Sequence, residues 1–311
     1  MLNVLDLFCG CGGLSKGLID AELNVIAGID ILKECIDSCS KNFDHICLNQ
    51  DLTKFSPEEF NKQCDKSIDI IVGGIPCQGF SMAGNRSEDD SRNVLFLEYV
   101  KYVEYYKPKL FMIENVIGIL SMKINNKKVI DTILQSFTNY DMQVYKLYAN
   151  DYEVPQKRRR VIIIGTLKEL KIKHFEPIKI DKDMSIANVL QNRDDVDNKL
   201  FLSKKAIDGI KRRQETNKKL GKGFGAQYVQ LDKPCYTISA RYWKDGYDAL
   251  VKYGEENIRR LNITELKRIQ TFPEEYIICG NNQQIIQQIG NAVPCNFAKH
   301  LGLHIRKLLN D

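Results

Sequence analysis

The chain has 311 residues, 43% of them hydrophobic and 27% charged, with 45 Lys and Arg against 40 Asp and Glu. That composition is ordinary for a globular protein with one large core or two domains. No apolar run approaches the ~20 residues of a membrane span and Met1 opens no basic-then-apolar leader, so we expect an intracellular protein without a membrane segment.

The ten cysteines, at 9, 11, 35, 39, 47, 64, 77, 235, 279 and 295, are scattered without the paired spacing of a zinc site. We expect free thiols and no metal. The whole positive surplus of +5 falls in residues 168–256, which hold 19 basic and 14 acidic side chains, while the remainder balances at 26 each. Such a segment suits a polyanion-facing module or a solvated face.

In chain order, Asn3 to Phe8 is a strand-like run opening into Cys9-Gly10-Cys11-Gly12-Gly13-Leu14-Ser15, and Lys16 to Ala21 continues as a helix. Glycines in such a turn let the backbone approach a ligand, and a helix N-terminus offers free N–H groups to an anion. A second strand, Asn24 to Ile29, ends on Asp30, an acidic side chain about 20 residues after the turn and so placed to take two ribose hydroxyls. Asp51 follows a third short strand around residues 45–49. These features predict a nucleoside-containing cofactor over the tops of the first strands, although strand-ending aspartates also serve as helix caps.

Residues 67–72 form a short β-branched run that reads as a buried strand, broken by Gly73-Gly74 before Ile75-Pro76-Cys77-Gln78. Cys77 is thereby placed at the carboxyl edge of a sheet, where open α/β folds bind ligands, and is a candidate nucleophile; taken alone it fits a small buried hydrophobe equally well. Residues 82–93 carry turn formers and no apolar period, the pattern of a surface loop that closes over substrate. Helical spacing covers 94–106, and the strand at 110–113 ends on Glu114-Asn115-Val116. Glu114 then shares the edge with Cys77 and could act as an acid, or merely cap a helix.

A helix is predicted over 128–137 and a strand over 144–147. Gln156-Lys157-Arg158-Arg159-Arg160 abuts the strand 161–165, so at least one of Arg158 and Arg160 should point inward to a carboxylate or an anionic ligand. From residue 167 to 256 the pattern loosens, and we read this stretch as a separate small domain between 1–166 and a C-terminal segment 257–311. Within it, glycines at 221–225 and the run Thr237 to Gly246 interleave Arg241 and Lys244 with Tyr242 and Trp243, as groove and phosphate contacts require; an aromatic hairpin with its own small core fits the aromatics as well. Asn262 and Glu265 mark a capped helix that stops at Phe272-Pro273, and a last helix runs to Leu309.

Taken together, these motifs resemble the cytosine-C5 DNA methyltransferase family of the bacterial or phage type. The resemblance rests on Asp6-Leu7-Phe8-Cys9-Gly10-Cys11-Gly12-Gly13, Pro76-Cys77-Gln78, Glu114-Asn115-Val116, Gln156-x-Arg158-x-Arg160 with Gly165, residues 260–273, and Gly290-Asn291-Ala292-Val293-Pro294. It departs from the family only in small ways: Asn262 stands in place of threonine, Thr271 in place of glycine, and Ile269 and Ile238 in place of leucine. The fold it implies is α/β, a Rossmann-like S-adenosylmethionine-dependent methyltransferase domain at 1–166, a smaller target-recognition domain at 167–256, and a segment 257–311 that returns to complete the catalytic domain.

The resemblance further implies a cytosine swung out of double-stranded DNA and methylated at C5 from S-adenosyl-L-methionine. Cys77 would add to C6, Glu114 would engage N3, Arg160 would hold O2 and Arg158 would support the site. Cofactor contacts would come from Asp6, Phe8, Gly10, Gly12, Gly13, Asp30, Asp51 and Asn291. DNA contacts would come from Gln78, Ser81, Arg86, Thr237, Arg241 and Lys244. The implied setting is a monomer in the cytoplasm of a bacterial or phage-infected cell, either solitary or matched with a restriction endonuclease acting on the same short site. A tRNA-methylating branch carries a Cys-Phe-Thr tripeptide that this sequence lacks. A nicotinamide-dependent oxidoreductase would account for the glycine turn but not for the later motifs, and a non-enzymatic DNA-binding module would not need Cys77 and Glu114.

Overall fold

The structure, a computed structural model, describes residues 1–76, 93–124, 126–180, 182, 184–221, 226–247 and 249–310. Its first half alternates β1 (Asn3–Leu7), α1 (Gly13–Asp20), β2 (Asn24–Asp30), α2 (Lys33–Asn42), β3 (Ile46–Asn49), α3 (Pro57–Gln63), β4 (Ile70–Gly74), α4 (Asn93–Tyr106) and β5 (Leu110–Val116). A small ribbon of β6 (Lys123–Ile124) and β7 (Lys127–Lys128) leads to α5 (Val129–Gln135), followed by β8 (Tyr140–Tyr148) and β9 (Arg159–Leu167). The second half holds α6 (Lys204–Lys219), α7 (Tyr242–Asp245), β10 (Leu250–Gly254), β11 (Asn257–Arg260), α8 (Ile263–Ile269), α9 (Asn282–Asn291) and α10 (Cys295–Asn310).

Seven strands form one sheet in the order β3-β2-β1-β4-β5-β9-β8, parallel through β5, with β9 antiparallel to β5 and β8 antiparallel to β9. The period of two along each strand divides the core. Leu5, Leu7, Ile29, Ile71, Phe111, Ile113 and Ile163 face Phe60, Tyr99, Tyr102 and Ile133 of α3, α4 and α5. Their neighbours Val4, Val25, Ile70, Val72, Met112, Ile162 and Ile164 face Leu14 and Leu18 of α1 and Phe297, Leu301 and Ile305 of α10. Both faces are covered, as a parallel sheet requires, and that explains why these strands read as unbroken apolar runs.

The chain winds outward from β1 to β3, then returns to place β4 on the other side of β1. This reversal opens a crevice above the carboxyl ends of β1 and β4, the position where open α/β sheets bind ligands. The last helix closes the fold over α1 through small residues: a Cβ on Gly17 would lie 2.3 Å from the Cys295 carbonyl, and one on Gly302 would lie 2.6 Å from Ala21 Cβ. Helix α10 thus packs onto the sheet through α1.

The 167–256 stretch contributes Ile186, Cys235, Ile238, Tyr242, Ala249 and Val251 to a cluster that also contains Leu261, Leu266, Ile269 and Ile289. Its strand β10 pairs with β11 across residue 256. Its apolar side chains share a core with the C-terminal segment.

Candidate active site

The glycine turn is held open by backbone geometry. Phe8, Gly10 and Gly12 all have positive φ, at 58°, 55° and 83°; for Phe8 this is an unusual conformation of the kind found where ligands are gripped. A Cβ on Gly10 would meet nothing within 4 Å, so the turn faces open space there. Underneath, the fully buried Asp6 accepts a 2.6 Å hydrogen bond from the Ser15 hydroxyl, tying β1 to α1, while its Oδ1 has no partner among the described residues. Burial pushes the Asp6 carboxyl up to about 7, against the lowering effect of Ser15. Asp6 therefore lies beneath the turn and not on its open side.

Asp30 terminates β2 beside the turn and accepts the N–H groups of Gly10 and Leu32, each at 2.9 Å. Burial raises its pKa and these two donors oppose the rise. Asp51 follows β3 and turns back on Thr53, whose hydroxyl bond lowers its pKa and whose N–H also donates to it. Because the strand order is β3-β2-β1, Phe8, Asp30 and Asp51 stand along one rim. Opposite them, Gly13 fits under the C-terminal segment, where a Cβ would lie 2.4 Å from the Val293 carbonyl; Tyr276 closes Gly12 from the side and donates to the Cys11 carbonyl at 2.6 Å. Asn291 is exposed at the end of α9, next to this contact.

On the other side of the crevice Glu114 pairs in register with Gly74, and Arg160 with Val116. Arg160 Nε donates to Glu114 Oε1 at 2.6 Å, and both side chains keep 12% exposure. Oε2 has no partner among the described residues and lies 3.6 Å from where a Gly74 Cβ would be. Asn115 reaches from β5 to the Ile75 carbonyl at 3.3 Å, two residues before position 77. Cys77, Gln78, Ser81 and Arg86 lie outside the described residues.

Arg158, 2% exposed, donates to the carbonyls of Ile238, Gly290 and Asn291 at 3.0–3.3 Å. Burial and the nearby Arg160 lower its pKa to about 9, with Glu114 opposing. The expectation that at least one of these two arginines points inward is met by both, and only Arg160 meets a carboxylate. A buried amide chain runs alongside: Ile238 N–H to Gln156, Gln156 to Gln270 at 3.0 Å, and Gln270 to the Ile289 carbonyl. Gly290 permits this convergence, since a Cβ there would sit 2.5 Å from the Ser239–Ala240 backbone. Thr237 uses its hydroxyl on the Lys157 carbonyl at 3.0 Å, whereas Arg241 and Lys244 are exposed on either side of the buried Tyr242.

Sequence reasoning passed over Ser15, the Gln156–Gln270 pair as a unit, and Tyr276. The motifs contained Gln156 and Gln270, but only the fold shows that they meet.

A family model described as C-5 cytosine-specific DNA methylase matches residues 2–307. The chain belongs to this family. It is a DNA cytosine-5 methyltransferase, and curated relatives agree. It is 33% identical over 300 residues to the Type II methyltransferase M1.ScrFI of Lactococcus lactis subsp. cremoris, covering 94% of this chain and 74% of the relative. It is 30% identical to the Type II methyltransferase M.NgoPII of Neisseria gonorrhoeae, covering 99% and 96%. The fold is similar to that of S. pombe Dnmt2 methyltransferase, with a TM-score of 0.77, 18% identity and full coverage of both chains. Among the described residues of the methyltransferase no helix is long and apolar enough to cross a membrane.

Proposed function

We propose that this methyltransferase works on a cytosine extruded from double-stranded DNA, through a covalent adduct between Cys77 and ring carbon C6. The observation that carries this reading is the Glu114–Arg160 pair beside Gly74, three residues before Cys77 and across one crevice from the glycine turn. The Cys77 thiolate adds to C6, and its electron pair passes through the ring to give C5 nucleophilic character. Glu114, anchored to Arg160 through one oxygen, gives a proton from the other to N3, and Arg160 steadies O2 as charge develops there. Once C5 carries the methyl group, loss of its proton returns electrons to the ring and expels the thiolate.

The methyl donor this reading calls for is S-adenosyl-L-methionine, which supplies an electrophilic methyl on sulfur. The rim fits it: Gly10 faces open space, Gly12 and Gly13 keep the turn thin, Phe8 borders it, and Asp30 and Asp51 offer carboxylate oxygens for ribose and adenine. Asp6 acts from below by fixing Ser15 and the start of α1, and Asn291 approaches from the C-terminal side. Arg158 braces the site by binding three backbone carbonyls together.

Extruding the base costs a few kcal/mol, which DNA contacts must offset. Gln78, Ser81 and Arg86, together with Thr237, Arg241 and Lys244 in the 167–256 target-recognition segment, are the residues assigned to this. One chain carries every required group, so the enzyme acts as a monomer. The bacterial Type II relatives support cytoplasmic action alongside a restriction endonuclease of the same specificity.

Bisulfite sequencing of DNA from cells expressing the protein tests the reading. Protected cytosines in one short context are expected with the native chain and none with Cys77→Ser, while S-adenosylmethionine binding persists in the variant. Protection that survives Cys77→Ser would remove the nucleophile assignment.

A further inference from the structure

Arg158 and Arg160 turn inward, so the cations that alternate with them turn outward. Lys157 and Arg159 are exposed and, with Tyr148 and Asn150, line a surface groove. Register fixes its place. Tyr148 pairs with Arg159 and Arg160 pairs with Val116, so the groove stands at the same end of the sheet as Glu114, displaced toward β8. The 235–237 backbone borders it, because Lys157 N–H donates to the Cys235 carbonyl at 2.8 Å.

Neither cationic side chain has a partner among the described residues. The nearby acids are already engaged: Asp151 by Lys179 at 3.1 Å, and Glu153 by Lys182 at 2.9 Å and His300 at 3.0 Å. Two uncompensated cations and a phenol hydroxyl around one groove fit an anion with several acceptor oxygens. A nucleotide delivering its base to Glu114 must carry its own phosphates past this edge.

We propose that Lys157, Arg159 and Tyr148 form a phosphate-binding groove that grips the DNA backbone flanking the extruded nucleotide. The assignment rests on the active-site reading above. Phosphate contacts position a duplex without reading its sequence, and each one releases counterions, so the loss of one lowers the log–log salt dependence of binding by about 0.9.

The experiment measures the affinity of the full chain for a short duplex by fluorescence anisotropy across a sodium chloride series. One duplex carries the methylated context and a second carries it scrambled. Lys157→Gln and Arg159→Gln should each flatten the salt slope by about 0.9 and weaken binding to both duplexes by a similar factor. Lys157→Arg should keep the native slope, and Tyr148→Phe should weaken binding with the slope unchanged. Thermal melting of each variant identifies any that fail to fold, and the charge-retaining Lys157→Arg controls for packing. Native slopes and affinities in both folded glutamine variants would overturn the groove. Failure of the active-site reading is separable: it would show as unprotected cytosines in bisulfite sequencing with the native chain, whatever the salt slopes do.

Discussion

Two arginine–glutamate pairs in this molecule obey different rules. Arg259 and Glu265 are wholly buried and joined by two parallel contacts of 2.8 Å. Tyr253 and the Arg260 carbonyl take further guanidinium protons, and the N–H groups of Gln191 and Asn262 fill the carboxylate. The carboxylate is filled, and four of the five guanidinium protons are engaged out of reach of solvent. Arg160 and Glu114 share a single contact, keep some exposure, and leave one carboxylate oxygen and one guanidinium nitrogen without partners among the described residues. Saturation marks a pair that holds the fold together, and spare bonding capacity at a crevice marks one arranged for a substrate.

This contrast breaks most readily at the saturated pair. Glu265→Gln leaves a guanidinium charge in a dry core, with an expected loss of about 3–5 kcal/mol of stability in denaturant titration. Replacing both partners, as Arg259→Met with Glu265→Leu, should recover most of it. A loss below about 1 kcal/mol for Glu265→Gln would mean that water reaches the pair and that saturation does not distinguish it.

At the unsaturated pair the expected damage moves from stability to rate. Glu114→Gln keeps an oxygen for Arg160, so melting should hardly change, while methyl transfer falls by about 100- to 1,000-fold as a charge-matched contact to the pyrimidine is lost. Covalent capture of the duplex should suffer more than its equilibrium binding. Equal losses in capture and binding would make Glu114 a structural residue like Glu265.

Much of this was legible in the sequence where local rules and tertiary packing agree. The β1–turn–α1 unit, the helix over 94–106 and the Asn262–Glu265 capping box were all anticipated, because each is decided within a few residues. The edge strand β8 was anticipated only over 144–147, yet it runs from Tyr140 to Tyr148. Exposed Asp141 and Gln143 interrupt its first half, so an apolar-run criterion starts only at Val144.

Arg260, not Arg259, stood in the recognised motif. Side chains alternate along β11, and Arg260 turns to the ring of Tyr247 while Arg259 enters the core. A small domain bounded at 256 followed local composition; the hairpin β10–β11 crosses that position, and the core its side chains share with α8 and α9 is a tertiary contact that composition does not report.

His304 is a third buried polar group, 5% exposed yet with no hydrogen-bond partner on either ring nitrogen among the described residues. Tyr145 and Phe175 meet its ring edge to face, at 6.0 and 4.8 Å between centroids. Burial lowers its pKa to about 4, helped by His174 and Lys307. The unfolded chain therefore takes up a proton as pH falls below the ordinary histidine value of about 6.5, while the folded chain waits until about 4. The contribution is present above the unfolded pKa and is lost as the medium becomes more acid through that window. His304→Phe fits the aromatic surroundings and removes an unsatisfied polar group, so it should raise stability near neutrality by about 1 kcal/mol. It should also flatten the fall in melting temperature between about pH 6.5 and 4. If the variant keeps the native acid slope, the imidazole is not the group taking up the proton, and burial without bonding would then cost this fold less than the contrast between its two ion pairs implies.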